Sequence, residues 1–134
     1  MSDLTSRQRQ QLWRAYRALT RTLRTLQRQP PMVQGSLYLL RRTCGKPTCR
    51  CAHGQRHAVW VLTRSEAGRS RLYTVPAAQR GRLRTLTREY RRWQLARARW
   101  VKQTAALLVR IDQLAAHRLQ PWPPPAHDHE PRTD

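Results

Sequence analysis

Hydrophobic side chains recur at helical spacing over residues 4–29. They step by four, three, four and three positions, at Leu12, Tyr16, Leu19, Leu23 and Leu26. This heptad spacing predicts a long helix with a single apolar seam. Proline lacks the backbone N–H that a helix interior needs, so we expect Pro30 and Pro31 to end the helix.

Residues 32–76 change to a pattern that is typical of β-structure. Runs of leucine, valine, tyrosine and tryptophan predict strands over 37–42, 58–63 and 71–75. A turn at Glu66-Ala67-Gly68 joins the second and third of these strands. The connection between the first and second strands holds all three cysteine residues. We therefore expect a short antiparallel β-segment with a cysteine-rich loop.

A second and longer helical pattern covers residues 77–119, which corresponds to about 65 Å of helix. Its apolar positions recur every seven residues, at Leu86, Trp93, Trp100, Leu107 and Leu114. We expect this helix to run back along the first one as a coiled-coil-like hairpin. Because the first helix is shorter, the seam over 107–114 is expected to stay free and to drive homodimerisation.

Basic residues dominate the charged positions. The 134 residues include 27 Lys and Arg but only seven Asp and Glu, which gives a formal net charge of +20. So large an excess of positive charge is the electrostatic signature of a phosphate-rich partner. A basic, solvated surface without a specific partner is the alternative interpretation.

The side of the first helix opposite its apolar seam carries arginine at a spacing of three or four residues. Like charges at this spacing repel by roughly 0.2–0.5 kcal/mol per pair, a cost that interleaved glutamate normally removes. The uncompensated row therefore predicts a phosphate-binding face, and Trp13, which lies off the seam, is free to stack on bases or on a partner protein. The predicted nucleic-acid contacts are Arg14, Arg17, Arg21, Arg24, Arg28, Arg50, Arg84, Arg88 and Arg91. The pattern leaves open whether the partner is DNA or RNA.

The cysteine-rich loop reads Cys44-Gly-Lys-Pro-Thr-Cys49-Arg-Cys51-Ala-His53-Gly-Gln-Arg-His57. Structural zinc sites use four ligands, and thiolate and imidazole are the preferred ones. We expect Zn²⁺ to bind Cys44, Cys49, Cys51 and His57, with His53 as the substitute for His57. Two alternatives stay open, namely structural thiols with incidental histidines, and a redox-active cysteine pair.

These observations together predict an α+β fold. A long N-terminal helix, a short zinc-stapled antiparallel β-segment and a long C-terminal helix would form one domain over residues 1–120. Residues 121–134 are rich in proline and are expected to form a disordered tail.

The residues Gly35-Ser36-Leu37, the run from Arg41 to Cys51, and His57 with the strand after it resemble a family of small uncharacterised bacterial proteins. That family has a G-S-L strand followed by R-C-G-K-P-x-C-R-C and H-G-P-Y. The resemblance covers roughly residues 32–100, and the chain departs from the pattern in having Ala58 after the histidine. Members often occur near mobile elements, so the resemblance implies a role in DNA transactions but no defined activity.

The function that these patterns predict is zinc-dependent nucleic-acid binding, by an accessory factor of a mobile element. An enzyme is not expected, because the carboxylates that would hold a catalytic Mg²⁺ are scattered and no Gly-rich phosphate loop is present. No apolar run reaches the length of a membrane span, so we expect no membrane partner and a cytoplasmic, nucleoid-associated location. The alternative function is a helical scaffold that binds a partner protein through the exposed seam.

Overall fold

The computed structural model describes residues 2–125, with side chains from residue 3 onwards. The helices and strands are α1 (Ser2–Leu26), β1 (Ser36–Arg42), β2 (His57–Glu66), β3 (Arg69–Thr74) and α2 (Arg80–Ala116), with short 3-10 helices at Arg50–His53 and Ala77–Gln79. The predicted α+β class and the helix–β–helix order are confirmed. Of the predicted tail, residues 121–125 are exposed and irregular, and residues 126–134 lie outside the described part of the chain.

The chain divides into two compact units. One is built from the two ends of the chain, up to Leu23 and from Trp100 onwards, and the other spans Arg24–Arg99. The second unit, here called the central unit, contains the sheet and the cysteine-rich loop, and the first is called the helical unit.

In the central unit the three strands form an antiparallel sheet in the order β1-β2-β3. Strand β1 pairs with β2 from Ser36↔Thr63 to Arg42↔His57, and β2 continues into β3 through a two-residue turn. Ala67 (φ 49°) and Gly68 (φ 78°) both adopt left-handed conformations at that turn. Positive φ at both central residues is the geometry that matches the twist of a two-residue β-hairpin.

The core of the central unit is small. Its buried apolar side chains are Cys51, Val61, Leu62, Val75 and Ala96. The segment before β1 is tied to α2 by a hydrogen bond from the N–H of Val33 to the carbonyl of Leu86, at 3.1 Å. A sheet of three short strands thus relies on α2 and on the cysteine-rich loop for burial.

In the helical unit α1 and α2 run antiparallel, as predicted. Gln11 accepts a hydrogen bond from Arg110 at 2.7 Å, and Thr22, further along α1, contacts Gln103, earlier on α2. Leu19 and Thr22 are the buried residues of α1. Polar pairs therefore contribute to the contact between the two helices.

The apolar seams differ from the prediction in two respects. On α1, Tyr16 and Leu23 are 47% and 38% exposed, although both were expected in the seam. On α2, Leu107 and Leu114 of the seam over 107–114 are half-buried rather than fully exposed, and Leu107 lines an open concavity with Leu12 of α1. The exposed apolar side chains of this part of α2 are instead Leu108, Val109 and Ile111.

Candidate metal centre and nucleic-acid interface

The cysteine-rich loop connects two strand ends that face each other. Arg42 and His57 form the last pair of the β1–β2 ladder, so Cys44 lies two residues beyond one strand end and His57 begins the next strand. The 3-10 helix Arg50–His53 follows Cys49 and carries Cys51. Sheet pairing therefore positions two of the candidate ligands, and a single helical turn positions the other two.

Two tight turns fold the loop, one from Lys46 to Cys49 and one from Cys49 to Ala52. The N–H of Cys49 donates to the carbonyl of Lys46 at 3.1 Å, with Pro47 at the second position, where proline favours a β-turn. Gly45 (φ 79°) and Gly54 (φ 103°) have left-handed backbones on either side of these turns. Because glycine adopts such angles without strain, the loop returns on itself within a few residues.

The turns gather four ligand atoms from Cys44, Cys49, Cys51 and His57, all within 4.8 Å of one another. The Sγ atoms of Cys44 and Cys51 are 3.3 Å apart, and Sγ of Cys49 is 3.3 Å from Nε2 of His57. Bonds of about 2.0–2.3 Å to a tetrahedral zinc ion separate neighbouring ligands by about 3.5–3.8 Å. The Cys₃His set thus has the spacing and the chemistry to hold a metal ion after small adjustments.

His53 was predicted as the substitute for His57. It is exposed at the end of the 3-10 helix and does not belong to the group of four. The strand pairing of His57 gives a physical reason, since the ladder holds that residue against the end of β1.

The thiols differ in how readily they ionise. The N–H of Lys46, followed by the side chains of Cys51 and His57, lowers the pKa of Cys44 from its ordinary value of 9.0 to about 6. The N–H of Cys44 donates to Sγ of Cys51 at 3.2 Å and by itself lowers the pKa of Cys51. Burial and the neighbouring thiols outweigh this hydrogen bond and raise the pKa of Cys51. Since thiolate is the form that binds metals, this lowered pKa leaves Cys44 largely ionised and able to bind a metal at neutral pH.

The arginine row, which follows α1 and ends at Arg28 just beyond the helix, is solvent-exposed along its whole length. Arg14, Arg17, Arg21, Arg24 and Arg28 are all exposed. Among the described residues, only Arg28 of this row contacts a carboxylate, that of Glu89 at 4.0 Å. The predicted lack of neutralising acids on this face is thus seen in the described part of the chain.

Trp13 lies beside this row. Its side chain is 62% exposed and lines a concavity of about 380 Å³ with Gln10, Arg14 and Arg17. The ring makes an edge-to-face contact with Tyr16, with centroids 5.7 Å apart. An exposed, braced aromatic ring that shares a concavity with two arginine side chains is suited to stacking on a base.

The other predicted arginine contacts lie in the central unit and differ in environment. Arg50 is exposed at the start of the 3-10 helix, and Arg88 and Arg91 are exposed on α2. Arg84 instead lies over the ring of Trp60, at 5.5 Å, and Arg80 lies over the same ring at 4.9 Å. The sequence spacing gave no indication of this arginine–tryptophan cluster, because it depends on how β2 meets the start of α2.

Arg92 and Arg99 were not among the predicted contacts. Together with Arg88 and Arg91 they line one concavity on α2. Positions 88, 92, 95 and 99 recur at helical spacing, so the sequence alone could have predicted that they share one face of α2.

Among the described residues, no helix is long and apolar enough to cross a membrane.

The family model that matches the chain is described as Domain of unknown function (DUF6788), and the match covers residues 6–85. This range takes in most of α1, the sheet, the Cys₃His group and the first turns of α2. It begins and ends earlier than the range of the resemblance described above, and the expectation of an uncharacterised family is confirmed. No curated protein and no solved structure matches the chain.

Proposed function

Because the chain belongs to the DUF6788 family, whose description gives no activity, we propose from its residues that it is a zinc-dependent nucleic-acid-binding protein. The arginine row of α1 is the observation that carries this proposal. Its guanidinium groups are exposed, and from Arg14 to Arg24 they have no carboxylate partner in the described part of the chain. Guanidinium groups bind phosphate through two parallel hydrogen bonds, which makes a nucleic-acid backbone the partner of matching chemistry.

The proposed metal would stabilise the β-segment rather than catalyse a reaction. All four ligand positions of the Cys₃His group are filled by protein side chains, as in structural zinc sites. Cys51 is among the largest fully buried side chains, so the group also supplies part of a small core. Zinc is favoured over softer or harder metals because a mixed thiolate–imidazole set in a tetrahedral arrangement suits it.

Trp13 supports nucleic acid over a general polyanion. A polyanion without bases would use the charge of Arg14 and Arg17 but not the exposed ring of Trp13 in the same concavity. We propose that this ring stacks on a base while the arginine side chains hold the neighbouring phosphates. A role as an accessory factor of a mobile element follows only from the sequence resemblance, and DNA and RNA are both compatible with the surface.

Two measurements on the purified full-length protein test the proposal. Elemental analysis is expected to give one zinc per chain. Fluorescence anisotropy with labelled duplex and single-stranded oligonucleotides is expected to show affinity that falls steeply with salt, because binding releases condensed counterions. Failure to bind any of these oligonucleotides at about 50 mM salt would refute the function.

A protein scaffold is the second candidate, and one observation favours it. In the helical unit an apolar concavity of about 310 Å³ is lined by Leu12, Trp13, Tyr16, Leu107 and Ile111. We propose this concavity, which includes Leu107 and Ile111 of the segment 107–114, as the site of homodimerisation. Light scattering at tens of micromolar tests this, with Ile111→Lys expected to shift a dimer to monomer.

A further inference from the structure

Three adjoining concavities of the central unit form one groove. The first has a volume of about 370 Å³ and shares Arg88 and Arg91 with the second, of about 260 Å³. The second shares Gly35, Ser36 and Gln94 with the third, of about 340 Å³. Because neighbouring concavities share these lining residues, they lie in a row from α2 across the start of β1 to the β2–β3 hairpin. This row of concavities is here called the groove.

The two ends of the groove differ in chemistry. The first concavity is lined by Arg88, Arg91, Arg92 and Arg99. Glu89, the nearest acid on α2, is held by Arg92 at 3.2 Å and does not line any of the three concavities. In the described part of the chain, the groove therefore has a strongly basic end with no lining carboxylate.

The third concavity offers uncharged hydrogen-bonding groups, a ring and one arginine, Arg64, which is paired with Glu66. Its lining includes the hydroxyls of Thr63, Ser65 and Ser70, the amide of Gln94 and the ring of Tyr90. Tyr90 is braced by Trp93, with ring centroids 5.8 Å apart and an angle of 29° between the planes. Hydroxyl and amide groups donate to and accept from base edges, and a braced ring can stack on a base.

Gly35 joins the two ends. A Cβ atom there would lie 2.8 Å from the carbonyl oxygen of Thr63 and 2.9 Å from Cδ1 of Leu62. The backbone therefore approaches β2 more closely than any other residue would allow. Gly35, Ser36 and Leu37, which the sequence singles out as a motif, line the middle of the groove.

We propose that this groove holds a single strand of nucleic acid, an inference that rests on the proposed function and names its preferred substrate. The end lined by Arg88, Arg91, Arg92 and Arg99 would bind about two or three consecutive phosphates. The end at the β2–β3 hairpin, with its hydroxyls, its amide and the ring of Tyr90, would receive the unpaired bases. Only a single strand presents its base edges and faces to a narrow groove. A duplex keeps its bases paired and stacked inside the helix, so it cannot place an unpaired base in the third concavity.

The test compares two double variants of equal charge. Arg88→Ala/Arg91→Ala removes the arginine residues shared by the first two concavities. Arg82→Ala/Arg97→Ala removes two exposed arginine residues of the same helix that line none of the three. Affinities for a labelled oligothymidylate and for a duplex of the same length are measured by anisotropy from low to moderate salt, after circular dichroism has shown that both variants fold.

The groove variant is expected to bind the single strand about tenfold more weakly than the control variant. Its log–log salt slope should fall by about 1.4, since each single-strand phosphate contributes about 0.7. Duplex binding should weaken equally in both variants. Equal single-strand affinities of the two variants would overturn the groove while leaving nucleic-acid binding intact. So would a groove variant that falls below the control variant by the same factor on the duplex as on the single strand. A parent that binds neither oligonucleotide overturns both proposals.

A second variant tests the place where the second and third concavities meet. Gln94→Glu places a carboxylate where the second and third concavities meet, and Gln79→Glu adds the same charge at an exposed position outside the groove. Weaker single-strand binding by Gln94→Glu than by Gln79→Glu is the expected result. Equal binding by the two variants would contradict a strand path through the middle of the groove.

Discussion

The hydroxyl of Thr22 donates a hydrogen bond of 2.6 Å to Oε1 of Gln103, linking α1 to α2 across the helical unit. Thr22 is buried and Gln103 is half-buried. A buried acceptor that loses its donor costs about 1–3 kcal/mol, whereas replacing both partners by apolar groups is nearly neutral. This pair is thus a polar contact whose two halves depend on each other.

Thr22→Val is expected to lower the free energy of unfolding by about 1–3 kcal/mol, because it leaves Oε1 of Gln103 without its donor. The double variant Thr22→Val/Gln103→Leu should recover most of that loss. Urea unfolding monitored by circular dichroism measures both. Thr20→Val serves as the control, since the Thr20 hydroxyl bonds to the carbonyl of Arg17 within its own helix. An equal loss in Thr20→Val and Thr22→Val would argue against the interhelical bond.

Replacing a ligand of the Cys₃His group should remove the metal and the order of the β-segment together. Cys49→Ser is expected to hold less than a tenth of an equivalent of zinc, because metal binding supplies folding free energy to such segments. His53→Ala, which changes a residue outside the group, should keep a full equivalent. Elemental analysis and amide hydrogen exchange of β1 and β2 provide the measurements. Loss of zinc in His53→Ala would show that the fourth ligand is misassigned.

Neutralising the arginine row of α1 should weaken binding to every nucleic acid. The variant Arg14→Ala/Arg17→Ala/Arg21→Ala/Arg24→Ala is expected to lower the log–log salt slope on duplex by about 3–4, at about 0.9 per phosphate contact. Alanine favours helix, so the variant should fold at least as well as the parent. A variant with Arg82, Arg97, Lys102 and Arg118 changed to alanine removes the same charge elsewhere. Identical slopes for the two variants would mean that overall charge, not this row, binds phosphate.

Two glycine substitutions should act in opposite directions. Gly35→Ala brings a Cβ to 2.8 Å from a backbone oxygen at a φ of +141°, so it should destabilise the protein by more than about 1 kcal/mol. Gly81, in the first turn of α2, has nothing within 4 Å of such a Cβ. Gly81→Ala is therefore expected to stabilise by about 0.5–1 kcal/mol through helix propensity. Thermal unfolding of both variants decides, and a neutral Gly35→Ala would contradict the close approach of the backbone to β2.

Glu66 should make stability depend on pH in the acid range. Hydrogen bonds from the Tyr73 hydroxyl at 2.6 Å and from Arg64 lower the pKa of Glu66 below its ordinary value of 4.5. Its folded pKa is thus below its unfolded one, so the stabilisation is present above pH 4.5 and is lost as the pH falls through the folded pKa. Glu66→Gln should therefore flatten the decline of the urea midpoint below pH 4.5, and an unchanged acid limb would contradict this assignment.

Periodicity was sufficient to predict the order of the elements. The helical spacing of Leu86, Trp93 and Trp100 and the proline pair after α1 depend on local preferences, which act within a few residues. Apolar spacing alone placed Leu23 in the α1 seam, whereas its neighbour Thr22 is the buried residue. In the sequence, a threonine that bonds to a distant glutamine is not distinguishable from a surface threonine. The exact position of the seam could therefore be found only from the contacts of α1 with its partner helix.

The candidate site divides in the same way. The ligand types and their close spacing were sufficient to select Cys44, Cys49, Cys51 and His57 as one group. The choice between His53 and His57 was left open, since it depends on which residue pairs with the end of β1. The groove of the central unit could not be predicted, because Arg88, Ser36 and Thr63 are brought together only by packing between elements distant in sequence.

Arg42 pairs with His57 at the end of the β1–β2 ladder, so the geometry of the metal group depends on the register of these two strands. Successive side chains along a strand point to opposite faces, so a slip of one residue would turn the imidazole of His57 away from the three thiols. A misaligned hairpin could then recruit only three of its four ligands. The metal would therefore bind most tightly to the native register of this short hairpin. Metal binding during folding would stabilise that register over the others that the hairpin samples.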